Sequence, residues 1–196
     1  MRSTLIEGFK KMADKIMLIR HAEKPDEPPP KFGVDKAGQQ NPVELTVRGW
    51  QRAGALACLF SPRMAPSRDP ALATPEAIFA TAAVHHPRSL RPQHTVRPLA
   101  AVLAITPNVD FTVGDEADLA GAAQGAPGAV LISWHHEAIP AIANAILGNA
   151  TTCPQHWPDE RFDMIWVFDR NAGQSSWRFS QVPQLLLAGD SDNPIG

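Results

Sequence analysis

The sequence predicts an α/β fold with a mostly parallel central sheet. Three short apolar runs, at residues 16–19, 77–80 and 129–133, have the length and composition of buried strands. They lack an alternation of apolar and polar residues, which is typical of parallel strands that are covered on both faces. Residues 45–60 and 139–147 instead place their apolar side chains at helical spacing. Strands that alternate with helices along a chain indicate a sheet with parallel central strands.

The overall composition restricts the class of protein. A chain of 196 residues suits one domain, residues 1–196, for which we expect flexible ends at 1–13 and 188–196. The net charge of −2, with no run of Lys or Arg, argues against nucleic-acid binding. No segment is apolar for long enough to span a membrane, and two cysteines make no disulfide framework. We therefore expect a cytoplasmic protein without a membrane partner.

A long loop is predicted over residues 24–44, directly after the first strand ends in Arg20 and His21. Prolines and glycines cluster there, and a loop of this length inside a domain is usually either functional or disordered. It is predicted either to cover a site at His21 or to be a solvated loop with no substrate role. Its lysines are candidate contacts to an anionic substrate: Lys24, Lys31 and Lys36.

The remaining elements follow from caps, prolines and periodicity. Thr46 is predicted to cap the helix over residues 47–60, which Ser61 and Pro62 end. A second helix is predicted from Pro92 to about residue 105, with a kink at Pro98. The later elements are predicted as a short strand at 109–112, a weak helix beginning near Glu116, a glycine-rich turn at 121–128, and strands at 163–169 and 175–179 joined by a turn at 171–173.

Candidate site residues follow three of the predicted strands. Arg20 and His21 end the first, Arg91 follows the second after a loop, and His135 follows the third. Because the carboxyl ends of parallel strands lie at one edge of a sheet, we expect these side chains to converge on one pocket.

Four segments resemble motifs of the histidine phosphatase superfamily, which includes cofactor-dependent phosphoglycerate mutases and many phosphatases. They are Leu-Ile-Arg-His-Ala-Glu at 18–23, Leu-Thr-Val-Arg-Gly-Trp-Gln-Arg-Ala at 45–53, Arg-Pro-Gln-His-Thr at 91–95, and a strand that ends in His135 ahead of an apolar helix. The chain departs from the family pattern at Thr81, where Ser is usual, and at Trp134, where Gly is usual. The resemblance implies a three-layer α/β/α sandwich of the phosphoglycerate mutase-like type.

The resemblance also implies a metal-independent phosphatase that needs no cofactor and acts on a phosphorylated small molecule or a phosphoprotein. Arg20 and Arg91 would clamp the phosphoryl group with bidentate hydrogen bonds. His21 would attack phosphorus and carry the group as phosphohistidine. His135 would donate a hydrogen bond to another phosphoryl oxygen. The spacing of Arg-x-x-x-Thr selects Arg91 over Arg88 as the second clamp.

A carboxylic acid must protonate the leaving alkoxide and later activate water. Glu116 follows the predicted strand at 109–112, and the overall spacing favours it. Glu137 lies two residues after His135 and is the alternative acid; with Lys24 it is also a candidate for substrate contact. Either glutamate could instead be a charge that suits the start of a helix.

Three other functions remain open at this point. The pairs His85-His86 and His135-His136 suggest a metal site, although adjacent histidines point in different directions and each pair offers at best one ligand. A phosphate-binding module without turnover is the second alternative. Phosphoglycerate mutase activity is the third, but the chain shows no match to the extended lid of the mutases.

Overall fold

The centre of the structure, a computed structural model, is a β-sheet covered by helices. The structure describes residues 12–25, 32–62, 69–83, 89–171 and 174–196. Within these ranges the sheet has five strands and there are four α-helices. In chain order the elements are β1 Lys15–Arg20, α1 Val47–Phe60, β2 Ala77–Ala80, α2 Arg91–Leu103, α3 Glu116–Gly125, β3 Ala129–Trp134, a 3-10 helix His136–Ala138, α4 Ile139–Leu147, β4 Met164–Asp169 and β5 Arg178–Pro183.

The strands are arranged in the order β2-β3-β1-β4-β5. β1 and β2 both pair with β3 in parallel, whereas β4 is antiparallel to β1 and to β5. Four strands therefore point the same way and β4 runs against them. This confirms the prediction of a mostly parallel sheet with parallel central strands.

β1 is buried on both faces, which explains its unbroken apolar sequence. Ile16 and Leu18 pack on one side together with side chains of α3 and α4. Met17 and Ile19 pack on the other side with side chains of α1 and α2. Helices therefore cover both faces of the sheet, and the three-layer α/β/α sandwich is confirmed.

α1 is joined at its first turn to the segment that follows His21. Thr46 caps the helix as predicted, because its Oγ1 accepts a hydrogen bond from the backbone N–H of Gly49 at 3.1 Å. The backbone N–H of Thr46 donates to the carbonyl of Glu23 at 2.9 Å. A Cβ at position 49 would lie 2.6 Å from that same carbonyl oxygen, so the close contact requires glycine. This accounts for the spacing of Thr and Gly in the second motif.

Two predictions between α2 and β3 are wrong. Residues 109–112 form no strand, and the one bridge near them joins Asn108 to Phe79. Side chains take the place of a strand partner: the backbone N–H of Asp110 donates to Oδ1 of Asn108, and that of Thr112 donates to Oδ2 of Asp115. α3 extends to Gly125, through most of the predicted glycine-rich turn. Its buried Leu119, Ala120 and Ala123 pack against the core, and this packing outweighs the weak helix propensity of glycine.

The two ends of the described chain also differ from expectation. β5 begins at Arg178, which pairs with Asp169 of β4, so most of the strand predicted at 175–179 precedes the ladder. Residues 188–196, expected to be a flexible tail, contact the rest of the protein through Asp190, which binds Arg52, and through Ile195. Ile195 is buried in the core, and its backbone N–H donates to Oε1 of Gln181 at 2.9 Å. Ala13 is also buried, whereas residues 1–11 and part of the predicted turn at 171–173 lie outside the described residues.

We predict that the substitution Gly49→Ala destabilises the fold. The new methyl group would clash with the backbone oxygen of Glu23. The backbone must shift to remove such a clash, which typically lowers the free energy of unfolding by about 1–3 kcal/mol. Gly54→Ala, on the same helix and with open space at its Cβ, is the matched control and should stabilise the protein by roughly 0.5–1 kcal/mol. Urea unfolding of both variants measures the difference. Equal effects of the two substitutions would contradict the contact.

Candidate active site

The strand register places two histidines side by side at the edge of the sheet. Arg20 and Trp134, the last residues of β1 and β3, are Cα partners. The backbone N–H of His21 then donates to the carbonyl of Trp134 at 2.9 Å. As a result the rings of His21 and His135 lie with their centroids 5.3 Å apart and their planes inclined by 74°.

Trp134 does not disturb this arrangement, although it replaces the glycine of the family pattern. The residue continues β3, and it is not among the described residues with a positive φ. Its indole is fully buried in the core below the site. Because the backbone here is an ordinary strand, a side chain is tolerated at this position.

His21 is held in one orientation by its own neighbour. The residue is 2% exposed, and Nδ1 lies 2.8 Å from the carbonyl oxygen of Ala22. A carbonyl can only accept, so Nδ1 carries the proton in the neutral ring and Nε2 carries the lone pair. Burial lowers the pKa of His21 well below its ordinary value, and the hydrogen bond to Ala22 acts in the opposite direction. The positive charges of Arg20 and Arg91 lower this pKa further.

Arg20 is oriented by the segment between α4 and β4. The side chain is buried, and its Nη1 group donates to three backbone carbonyls, those of Pro158, Asp159 and Arg161. Its Cζ also lies 3.8 Å from the centroid of the Phe162 ring. The Phe162 ring is 6.3 Å from that of His21, so it forms part of the wall of the site.

Arg91 is oriented from the other side, by the end of the long loop. Its Nε donates to the carbonyl of Glu44 at 3.3 Å and its Nη2 to that of Pro42 at 2.8 Å. Burial lowers the pKa of Arg91, whereas the carboxylate of Glu44 acts to raise it. Arg91 is close enough to His21 and to His135 for its charge to lower both their pKa values. Arg88, the alternative clamp, lies outside the described residues.

Thr95 explains the Arg-x-x-x-Thr spacing of the third motif. Its Oγ1 donates to the carbonyl of Arg91, one helical turn earlier, at 2.7 Å. The same oxygen accepts a hydrogen bond from the backbone N–H of Ala22 at 2.8 Å. One hydroxyl therefore fixes the start of α2 against the residue that follows His21.

His135 is half-buried, and burial lowers its pKa. The charge of Glu137 acts in the opposite direction, whereas the charges of Arg91 and Lys24 lower this pKa further. The role of Lys24 as a substrate contact stays a prediction. Lys36 is exposed, and Lys31 lies outside the described residues.

The two candidate acids lie in different surroundings. Glu116 begins α3, where its carboxylate accepts hydrogen bonds from the backbone N–H of Gly114 at 3.1 Å and from Nε1 of Trp134 at 3.3 Å. The side chain of Glu137 is 68% exposed, with Oε2 at 2.9 Å from Nδ1 of His136. Neither carboxylate hydrogen-bonds the ring of His21 in the described part of the chain.

Two polar pairs next to the arginines, each with one buried partner, are not indicated by the sequence. His136 is buried and its Nε2 binds the carboxylate of Asp159, whose carbonyl orients Arg20. Glu44 is buried and binds Nδ1 of His94, while its own carbonyl orients Arg91. The sequence indicates His136 only as the neighbour of His135 in a possible metal-binding pair. Nothing in the sequence indicated Glu44, because a loop glutamate is normally exposed.

The described residues contain no group of three or more His, Cys, Asp or Glu side chains that could hold a metal ion. The pair His85-His86 is not among them. In the same ranges, no helix combines the length and the hydropathy that a membrane crossing requires.

Solved structures resemble this chain over most of their length. A candidate phosphohistidine phosphatase SixA from Agrobacterium tumefaciens has a TM-score of 0.51 and 18% identity, covering 85% of this chain and 96% of its own. A candidate α-ribazole-5'-P phosphatase from Escherichia coli has a TM-score of 0.53 and 12% identity, covering 86% and 96%. A phosphoserine phosphatase variant from Entamoeba histolytica, in complex with phosphoserine, has a TM-score of 0.52 and 14% identity, covering 86% and 95%.

No protein-family model matches the sequence, and a search of curated proteins gives no match either. At identities of 12–18% the structural likeness concerns the fold. The three-layer α/β/α sandwich is also what the resemblance of the four sequence segments to histidine phosphatase motifs implies. The chain has the fold of these solved phosphatases, and its His21 and His135 directly follow the paired ends of β1 and β3.

Proposed function

We propose that the protein is a phosphatase that hydrolyses phosphomonoesters or phosphohistidine through a phosphohistidine formed on His21. The observation that carries this proposal is the state of the His21 ring. Its Nδ1 is bound to the carbonyl of Ala22, so its lone pair is on Nε2, and its lowered pKa favours the neutral, nucleophilic form.

In the first step, Nε2 of His21 forms a bond to phosphorus while the bond to the leaving oxygen breaks. Arg20 and Arg91 supply two guanidiniums that bind phosphoryl oxygens and stabilise the charge of the transition state. Both are oriented by hydrogen bonds to backbone carbonyls. The geometry therefore favours an anionic substrate.

His135 contributes a further donor. In the free protein its lowered pKa favours the neutral ring, which still offers one N–H to a phosphoryl oxygen. A bound dianion would raise this pKa, because a neighbouring negative charge favours the protonated imidazole. Binding of substrate then strengthens the interaction between His135 and the phosphoryl group.

The leaving alkoxide takes a proton from a carboxylic acid, which we assign to Glu116. The resulting carboxylate then accepts a proton from water as the water oxygen attacks phosphorus, and inorganic phosphate and free His21 are released. Glu116 is joined to the end of β3 through Nε1 of Trp134, next to His135. Glu137 is exposed, and its carboxylate is nearest to His136.

The structural neighbours support this function without identifying the substrate. Those described above carry the names of phosphatases for phosphohistidine, α-ribazole-5'-phosphate and phosphoserine. These names have in common the hydrolytic removal of a phosphoryl group from a phosphorylated compound. We propose that reaction class for this chain.

We predict that His21→Ala abolishes hydrolysis of p-nitrophenyl phosphate and prevents trapping of an acid-labile phosphoprotein. The variant should fold, because the site residue contributes little to the packing of the core. His156→Ala, at an exposed histidine, is the control and should retain full activity. Undiminished turnover by His21→Ala would exclude the covalent mechanism. Efficient interconversion of phosphoglycerates by the wild type would instead favour a mutase.

Loss of either guanidinium should slow the chemical step. Arg20→Ala and Arg91→Ala are each expected to lower kcat by about 10²–10³-fold, the scale of a lost oxyanion donor, or ~3 kcal/mol. Arg97→Ala is the matched control for Arg91, because Arg97 lies on the same helix but is exposed. Steady-state kinetics with p-nitrophenyl phosphate measures these effects. A loss at Arg91 no larger than that at Arg97 would point to Arg88 as the second clamp.

Glu116→Gln tests the general acid. It should lower kcat by about 10²-fold or more for an alkyl phosphate, whose leaving group needs a proton, and by less for p-nitrophenyl phosphate. Glu137→Gln should have a small effect on both substrates. The opposite ranking of the two variants would transfer the role to Glu137.

The lowered pKa of His21 predicts how its charge depends on pH. An unperturbed histidine gains its proton near pH ~6.5, but His21 should still be neutral there and become protonated only at a clearly lower pH. The ¹³C-labelled ring, assigned by comparison with His21→Gln, can be followed by NMR from pH 8 downwards. A midpoint at or above that of a histidine in an unstructured peptide would contradict the burial of the ring.

A further inference from the structure

A cavity of about 520 Å³ opens beside the candidate active site. Its size lies within the range of ligand pockets, which is roughly 300–1,000 Å³. Phe32 and Val34 of the long loop and Val47 of α1 form its apolar wall, and Glu23 and Lys24 lie at the side nearer to His21. The cavity therefore lies between the long loop and the first turn of α1.

The apolar wall is unusually exposed for side chains of this kind. Phe32 is 54% exposed and Val47 is 60% exposed, and both face the same cavity. Single exposed apolar residues are common on protein surfaces, but several around one concave site indicate a ligand. The polar groups on the wall already have partners: Nε of Arg48 donates to Glu23 at 3.1 Å and its Nη2 to the carbonyl of Ala188 at 2.8 Å. The surface left for a ligand is thus chiefly apolar.

The cavity adjoins the segment that directly follows His21, because Glu23 and Lys24 line it. Glu23 and Lys24 follow His21 by two and three residues. Three residues span at most about 11 Å, so Lys24 at the cavity wall lies within that distance of His21 along the chain. The cavity wall is held to this segment by Thr46, which also lines the cavity and whose backbone N–H donates to the carbonyl of Glu23 at 2.9 Å. A phosphate ester with its phosphate at His21 would bring its organic part to this cavity if that part extended by about this distance.

A second cavity, of about 410 Å³, lies on the other side of Glu23 and has a different character. It borders the site at Phe162, and its charged lining consists of five acidic residues and two arginines: Glu23, Asp159, Glu160, Asp163, Asp190, Arg48 and Arg52. Its acidic groups would repel a phosphate ester that approached from that side. The charge distribution thus directs the organic part of a phosphate ester to the apolar cavity.

We propose that the apolar cavity binds the leaving group of the substrate, which is therefore a phosphate monoester of an apolar aromatic or aliphatic alcohol. This inference rests on the proposed phosphatase function of His21. Phe32 and Val47 are then the residues that determine specificity. A small or strongly polar leaving group would leave their apolar surface in water and would bind more weakly.

The test uses binding of phosphonates, which cannot be hydrolysed, to the wild-type protein by calorimetry. Methylphosphonate, phenylphosphonate and 2-naphthylmethylphosphonate share the charged group and differ in apolar size. Affinity should rise along this series, by roughly tenfold or more from the first to the last. Equal affinity for the three compounds would overturn the proposal.

Two variants locate the effect. Val47→Trp should fill the cavity and lower the affinity for 2-naphthylmethylphosphonate by about tenfold, while leaving methylphosphonate binding unchanged. Phe32→Ala should also weaken only the larger ligand. Val102→Trp is the control, because Val102 is a similarly exposed valine, 43%, on α2 and away from the cavity lining. A naphthyl affinity that is the same in Val47→Trp and in Val102→Trp would refute the assignment.

The outcome is separable from that of the proposed function. Binding that depends on ligand size, together with no turnover of p-nitrophenyl phosphate, would support the role of the cavity and contradict the proposed phosphatase function. Turnover that is lost in His21→Ala, together with equal affinity for ligands of different size, would support the phosphatase function and contradict the role of the cavity.

Discussion

The parallel pairing of β1 with β3 is the constraint on which the rest of the site depends. Because Arg20 lies opposite Trp134, His21 and His135 leave the sheet together and their rings meet. The register itself is held by apolar burial, since the side chains of 16–19 are enclosed on both faces of the sheet. A slip of one residue would exchange the two faces of a strand and separate the histidines. Hydrophobic packing thus determines the geometry of the polar groups at the strand ends.

Backbone groups then orient the charged side chains. The ring of His21 is held by the carbonyl of Ala22, Arg20 by three carbonyls of residues 158–161, and Arg91 by those of residues 42 and 44. A carbonyl orients a guanidinium without cancelling its charge, whereas a carboxylate would compete with a phosphate for the same donors. Arrangements of this kind suit the binding of an anion and require that both loops be correctly folded.

Glu23 connects the candidate site to the far end of the chain. Its carbonyl accepts a hydrogen bond from the backbone N–H of Thr46, the cap of α1, and its carboxylate binds Arg48 and Arg52. Burial acts to lower the pKa of Arg52, but its hydrogen bonds to Asp190 and Glu23 outweigh burial and raise it. Removal of one partner would leave a buried charge uncompensated, which is strongly destabilising. The packing of residues 188–196 is therefore coupled to the segment that follows His21.

The sequence by itself determined the central strands and the cap of α1 at Thr46, and it indicated Arg20, His21, Arg91 and His135 as candidate site residues, because these depend on local periodicity and on fixed spacing. It could not predict the extension of α3 through Gly121, the start of β5 at Arg178 or the burial of Ile195, since each depends on contacts between residues distant in sequence. The same reason hid Phe162, Glu44 and the carbonyls that hold the arginines. Only the tertiary structure decided that Trp134 replaces glycine without strain, and that an apolar cavity lies next to Lys24. Local patterns identify which residues are chemically capable, but their surroundings are set by the packing of the whole chain.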